Sequence, residues 1–366
     1  MRLFHCGQCG SLVFFESVQC VHCGCTLAFS PEDMAMLALA PADDGDHALS
    51  RTWQRVPTRG SDGAAPPAHY QLCTNRTTYG ACTFALPAAD AQAHGGLCAA
   101  CRRTRVLPDL SLPDNLRRWS QIESAKRHLF YTLARLGLLS TQQPGPVYEF
   151  LADVAGAPPV MTGHAQGVVT LNVAEADDDE RARRRQAMHE PYRTLLGHLR
   201  HESGHYYWEE LVLRAGHVEA FRALFGDERR DYAQALQAHY QRAPLPAAQW
   251  QPQHVSAYAA AHPWEDWAET WAHYLHLVDL LETAASFQTR MAIPRTTPDH
   301  AQHYAMPDPF AQPGPGFDAM VSAWMPLTLL LNSLNRSMGQ RDAYPFALST
   351  GALRKLRFVH DTVARR

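Results

Sequence analysis

The chain has no cysteine after Cys101: residues 102–366 hold none, and all nine lie within residues 1–101. A disulfide framework running through the whole chain is thereby excluded. Nine cysteines confined to one end read as separate metal-binding modules, not as scattered core residues. Long hydrophobic runs are also missing. The longest, around Met325–Leu331, is far too short to span a bilayer. No apolar stretch like a secretory signal precedes the first cysteine pair, since Met1-Arg2-Leu3-Phe4 runs straight into it. The cytoplasm is the expected compartment, with no membrane partner. There is little excess charge of either sign. A net charge of -3 gives no reason to expect nucleic acid or an anionic membrane as partner. No internal repeat or long low-complexity segment occurs. What remains is 366 residues, 46% hydrophobic and 19% charged, enough for a globular chain of two or three domains.

The cysteines fall into two sets. Cys6-x-x-Cys9 and Cys20-x-x-Cys23 form two knuckles, each placing two thiolates on one side of a tetrahedral zinc. Backbone amides near Gly10 and Gly24 can stabilise the sulfurs, and Leu12-Val13-Phe14-Phe15 between them is strand-like. This is the pattern of a zinc ribbon over residues 1–30. A ribbon of about 30 residues cannot build an adequate core, so the metal must do the folding work. Cys25 is a fifth thiol and is read as spare or packed. The second set is Cys73, Cys82, Cys98 and Cys101, of which only the last two make a tight knuckle. Four cysteines within one module's length predict a second structural zinc, with His69 or His94 able to replace one of them. The alternative is a redox pair, Cys98-x-x-Cys101, which lacks a βαβ context. Residues 31–105 are read as a linker plus this second module, with a short helix over Pro31–Leu39 and a loop over Gly60–Pro67.

The segment His201-Glu202-Ser203-Gly204-His205 carries the chemistry. Histidines at i and i+4 share one helix face, because a turn takes 3.6 residues. Their imidazoles can converge on one zinc. Glu202 projects beside the metal, where it can accept a proton from the attacking water. This is the H-E-x-x-H arrangement of zinc hydrolases. Leu195, Leu196 and Leu199 before it, and Trp208, Leu211, Val212 and Leu213 after it, predict one buried helix from Pro191 to about Arg214. His198, one turn earlier, is read as a surface or packing residue. Catalytic zinc usually takes three protein ligands. The candidate helix for the third begins at Pro263, with Trp264, Trp267, Ala268, Trp271, Ala272 and Leu275 on its apolar face. Glu265 and Glu269 lie four apart on one side, and His273 and His276 are further candidates. Asp266 is read as solvent-facing or as a partner of the helix dipole.

At these residues the chain resembles the gluzincin metallopeptidases. The resemblance implies Glu265 as the third ligand and Glu269 as an acid supporting a ligand histidine; exchanged roles remain open. A tyrosine seven residues before the ligand glutamate occurs in some gluzincins, and Tyr258 stands there. The resemblance implies that its hydroxyl donates to the developing oxyanion; a packed aromatic is the alternative. More closely, the chain resembles a bacterial family of zinc-binding metallopeptidases joining an N-terminal zinc ribbon to a gluzincin-like domain. The matching stretches are the N-terminal Cys pairs, His201–Trp208, Ser256-Ala257-Tyr258-Ala259 and Pro263–Glu269. The fold implied for residues 106–366 is a mostly helical α+β zincin-like domain.

Helical spacing of Leu116, Trp119, Ile122, Leu129, Leu133 and Leu136 predicts a helix over 115–138. Val147–Leu151 predicts a strand, and Val160–Asn172 a hairpin or turn followed by a strand. Gly167–Asn172 is either a sheet edge that holds an extended substrate or an internal strand. Residues 177–185 are read as a loop or solvated helix end, 217–240 as helical with a break at Gly226-Asp227, and the chain after 290 as loop-like until a helix over 317–338. A last helix covers 353–363. The expected function is zinc-dependent peptide-bond hydrolysis with Glu202 as general base, on a protein or peptide substrate. One catalytic and two structural zinc ions are expected. Two other classes stand beside it: a protease acting on nucleic-acid-bound proteins, and a non-catalytic zinc-binding interaction protein.

Overall fold

A computed structural model of the chain describes residues 1–42, 51–57, 69–140, 144–187, 194–243, 245–293 and 302–365. The expected loop over Gly60–Pro67, and the expected helix start at Pro191, lie outside the described residues. The chain forms two compact units, Leu3–Asp177 and Asp178–Arg366. Helices and strands occur in both, which makes the fold α+β.

In the first unit, β1 (Phe4–His5) and β2 (Leu12–Val13) make a short antiparallel hairpin. A five-stranded antiparallel sheet follows, in the order β3 (Thr26–Ser30), β4 (Ala35–Pro41), β5 (Trp53–Arg55), β6 (His69–Leu72) and β7 (Ala85–Pro87). The sheet curls on itself: Phe29 bridges to Phe84, and the Phe29 amide donates to the Thr83 carbonyl at 3.1 Å. The helix expected over Pro31–Leu39 is therefore corrected to a strand. Ala35, Met36, Leu37, Ala38 and Leu39 favour a helix locally, but pairing on both sides overrides that preference. Short helices α1 (Thr74–Tyr79) and α2 (Ala88–Ala91) flank β7.

The unit continues with β8 (Thr104–Val106), the long helix α3 (Pro113–Arg135), β9 (Val147–Leu151), β10 (Gly163–Ala165) and β11 (Val168–Asn172). These strands form a sheet in the order β10-β11-β9-β8. The β10–β11 hairpin turns through Gln166 at φ 49° and Gly167 at φ 80°, the paired left-handed residues that match strand twist. β11 pairs with β10 on one side and β9 on the other, so it is an internal strand and not a substrate-binding edge. An aromatic cluster supplies the core that a ribbon alone lacks. Phe15 meets Phe29 at 4.8 Å and Tyr131 of α3 at 5.4 Å, and Phe29 meets Phe84 at 4.9 Å.

The second unit contains α4 (Asp178–Ala187), α5 (Leu195–Trp208), α6 (Val218–Phe225), α7 (Tyr232–Gln241), α8 (Ala247–Trp250) and α9 (Pro263–Ser286). The hairpin β12 (Arg290–Ile293)–β13 (Gln302–Ala305) and helices α10 (Phe317–Ser337) and α11 (Thr350–Ala364) complete it. Of the two readings of 177–185, loop or solvated helix end, the helical one holds, over 178–187. Two strands also interrupt the stretch read as loop-like after 290. α10 is long and apolar enough, by length and composition, to cross a membrane. Phe317, Met320, Trp324 and Leu327 are nonetheless buried in the unit, as in a core helix.

The crossing of α5 and α9 positions the site. Thr194 caps α5, its hydroxyl accepting from the Gly197 amide at 3.0 Å. His262 caps α9, its Nδ1 accepting from the Trp264 amide at 3.1 Å, and Pro263 fills the first turn. Trp267 and Trp271 are fully buried on the face of α9 that meets α5. Their indole N–H groups donate to the Gly204 carbonyl at 2.8 Å and to the Ser203 hydroxyl at 3.1 Å. Removing either ring would cost on the order of 3–5 kcal/mol. At the crossing, Gly204 has room for no side chain. A Cβ there would lie 2.9 Å from the Ala268 Cα and 3.1 Å from the Trp271 ring.

Candidate metal centres and active site

The first cysteine set comes together at the N-terminal hairpin. Both knuckles share one design. The Gly10 amide donates to the Cys6 carbonyl and the Gly24 amide to the Cys20 carbonyl, each at 2.8 Å. Gly10 and Gly24 take left-handed φ angles of 75° and 73°, which only glycine adopts at little cost. Sulfur pairs stand 3.7 Å apart for Cys6 and Cys23, and 3.6 Å for Cys9 and Cys20. In the second set Cys82 and Cys98 are 3.8 Å apart, and all four residues are buried. A disulfide requires about 2.05 Å. A tetrahedral zinc with bonds of about 2.3 Å sets its sulfurs about 3.8 Å apart. The observed spacing suits a metal. Cys25 donates instead to the Leu39 carbonyl, outside the ribbon's four. Neither His69 nor His94 joins a metal-ligating group among the described residues.

The third group is His201, His205 and Glu265, whose ligand atoms all lie within 4.8 Å of one another. The His201 Nε2 is 3.0 Å from Glu265 Oε2, and the His205 Nε2 is 3.8 Å from Glu265 Oε1. A tetrahedral zinc with nitrogen and oxygen ligands sets neighbouring donors about 3.3–3.6 Å apart. Glu265 is fully buried, yet its Oε2 makes no aligned hydrogen bond. A buried carboxylate oxygen facing an imidazole nitrogen out of line is costly unless a cation joins them. The residues therefore fit a zinc ion. Burial opposes the charge on Glu265, but His201 and His205 outweigh it and hold its carboxyl at about 2. Burial likewise opposes charge on His201, and Glu265 and Glu269 together raise its pKa well above the ordinary value. The site thus attracts a positive charge to the place where a metal would sit.

Around this group stand four further side chains. Glu269 faces the other ring nitrogen of His201, Oε1 to Nδ1 at 2.8 Å, and accepts from Ser256 Oγ at 2.7 Å. This is the arrangement of an acid that orients a ligand histidine and fixes its tautomer. Glu202 is buried beside the two histidines, and its Oε1 lies 3.3 Å from the His198 Nε2. Burial alone would raise its pKa. His198, His201 and His205 more than offset this and keep it below the usual carboxylate value. Tyr258 packs its ring against His201 at 5.8 Å and against His239 at 5.6 Å. Tyr232, the first residue of α7, donates its hydroxyl to Glu265 Oε1 at 2.5 Å. Burial, then the Glu265 charge, pushes the Tyr232 phenol well above its ordinary value.

Asp266 and Tyr232 go beyond what the sequence indicates. Asp266 is buried, not solvent-facing, and pairs with Lys355 and with His254 at 3.1 Å. His198 packs against Glu202 and stands outside the metal-ligating group, in keeping with a packing residue. The i to i+4 spacing that joins His201 to His205 was the available signal. Tyr232 had no such signal. The alternative ligands point elsewhere: His273 bonds the Tyr344 hydroxyl and packs on Phe346, and His276 bonds Arg200 Nη1 at 2.6 Å.

A buried H-E-x-x-H helix, an acid on a crossing helix and two tetrathiol groups define a zinc protein with hydrolase-like ligands. Comparison with known proteins agrees. Residues 115–362 match the family described as "Putative zinc-binding metallo-peptidase", and the chain belongs to it. Residues 3–112 match a zinc-ribbon domain family. The chain is 39% identical to an uncharacterized protein of Mycobacterium bovis, over 99% of this chain and 95% of that protein. It is similar to the same extent to an uncharacterized protein of Mycobacterium tuberculosis. No solved structure matches the chain.

Proposed function

We propose that this chain is a zinc-dependent peptidase that hydrolyses peptide bonds with Glu202 as general base. The observation that carries the reading is a buried carboxylate at Glu202, on the same helix as His201 and His205 and beside the His201, His205 and Glu265 group. A purely structural zinc site has no use for such a base. Zinc held by these three residues would supply Lewis acidity, polarising the scissile carbonyl and easing deprotonation of water.

The chain's own groups do the rest. Glu202 accepts the proton of the attacking water and passes it to the leaving amine. His198 occupies one oxygen of Glu202 and so directs the other toward the water. Glu269 and Ser256 hold the His201 ring in place. The Tyr258 hydroxyl, which makes no hydrogen bond among the described residues, donates to the developing oxyanion. The zincin-like fold, the count of one catalytic and two structural zinc ions, and a cytoplasmic setting belong to the same reading. The ribbon, with exposed Phe14, Val18 and Val21, would act as a docking element for protein substrates or partners.

The test is to incubate a cell lysate with wild type and with Glu202→Gln, then compare new peptide ends by mass spectrometry. New ends in the wild-type sample alone support the reading. Identical end profiles in both samples oppose it.

A further inference from the structure

Glu265 presents its two oxygens to different partners. Oε1 accepts the Tyr232 hydroxyl at 2.5 Å and lies 3.8 Å from the His205 Nε2, whereas Oε2 faces His201 at 3.0 Å with no aligned hydrogen bond. Tyr232 comes from α7, a helix with no fully buried residue, and it is half-buried itself. Its helix is anchored at this end by Asp231, whose carboxylate accepts from the Gln234 amide at 2.9 Å. Two turns on, the same face of α7 brings His239 against the Tyr258 ring. The helix thus meets both the ligand acid and the tyrosine assigned to the oxyanion.

We propose that Tyr232 is a positioning residue: by holding Oε1 of Glu265 it leaves Oε2 as the single oxygen offered to the metal. The inference rests on the metal site of the proposed function and adds to it the mode of ligation. A carboxylate free to rotate can bind zinc through both oxygens and fill the coordination position that a reacting carbonyl needs. Catalytic sites keep that position open. A hydroxyl locked on one oxygen prevents this, in the way that groups behind a ligand commonly set its orientation. The two tyrosines then have separate tasks. Tyr232 is committed to the ligand, and Tyr258 remains free for substrate.

The test uses the full-length chain with Tyr232→Phe. Zinc affinity at the His201 site is read by competition with a chromophoric chelator. The same site is then loaded with cobalt and its visible absorption recorded. The expected result is a roughly 10–100-fold weaker third metal, with the cysteine-bound zinc retained. Cobalt bands should weaken as the coordination number rises. A tyrosine that only packs would shift the melting point of the metal-free protein and leave both readouts unchanged, and that result overturns the proposal. Should the variant not fold, a crystal structure of the metal-loaded wild type decides. Oε2 alone at the metal, with Tyr232 on Oε1, supports the proposal, and two oxygens at the metal overturn it. Absence of hydrolysis by the wild type, with the affinity difference intact, would defeat the peptidase reading and leave this one standing.

Discussion

Gly204→Ala is a sharp test of how the site is held, because its sign separates two outcomes. At an open helical position, replacing glycine by alanine stabilises by up to about 1 kcal/mol. Gly204 is not open. The added Cβ would sit 2.9 Å from the Ala268 Cα, 3.1 Å from the Trp271 ring and 3.3 Å from the Ala268 Cβ. The first of these is backbone, which cannot swing aside. α5 and α9 must move apart by several tenths of an ångström, and overpacking of this kind costs about 1–3 kcal/mol. Set against the helix-propensity gain, the net is a loss of up to about 2 kcal/mol. The same separation pulls His205 away from Glu265, so metal affinity falls with stability. Urea unfolding followed by tryptophan fluorescence reads the first effect, since Trp267 and Trp271 lie in the crossing. Chelator competition reads the second. A gain in stability of about 1 kcal/mol with unchanged metal affinity would refute the close crossing.

Three further outcomes are expected. Elemental analysis of protein purified without added metal should give three zinc ions per chain, from the two cysteine groups and the His201, His205 and Glu265 group; one zinc per folded chain contradicts the count. Glu265→Ala should lose the third zinc and keep the cysteine-bound metal. Glu269→Ala should keep more of it and lose activity about 10–100-fold, and the reverse pattern would make Glu269 the ligand. Tyr258→Phe should lower kcat on the order of 100-fold with little change in zinc content or melting point; a normal kcat would return Tyr258 to a packing role.

Much of the site could be read from spacing because its parts are local. His201 and His205 share one helix turn, and each Cys-x-x-Cys pair is a self-contained knuckle. The apolar positions of α3, α5 and α9 recur at helical intervals, so those elements were visible. What stayed hidden depends on distant partners. β4 consists of residues that suit a helix, and only the strands beside it make it extended. Asp266 resembles an ordinary first-turn acid until Lys355, 89 residues later, reaches it. Tyr232 lies 33 residues before Glu265, and no periodicity joins them. The path of the chain between α7 and α9 does. The internal place of β11 was equally out of reach, since sheet order is set by long-range pairing.

If Glu202 is the base of a zinc peptidase, Glu202→Gln must abolish turnover without releasing the metal. The amide keeps the size of the side chain but cannot accept the water proton. Wild type and variant, both checked for zinc content, are compared on a peptide that the wild type cleaves. The expected result is equal zinc, equal folding and a rate lower by roughly 100- to 10,000-fold in the variant. Undiminished turnover in a zinc-loaded Glu202→Gln protein would contradict it.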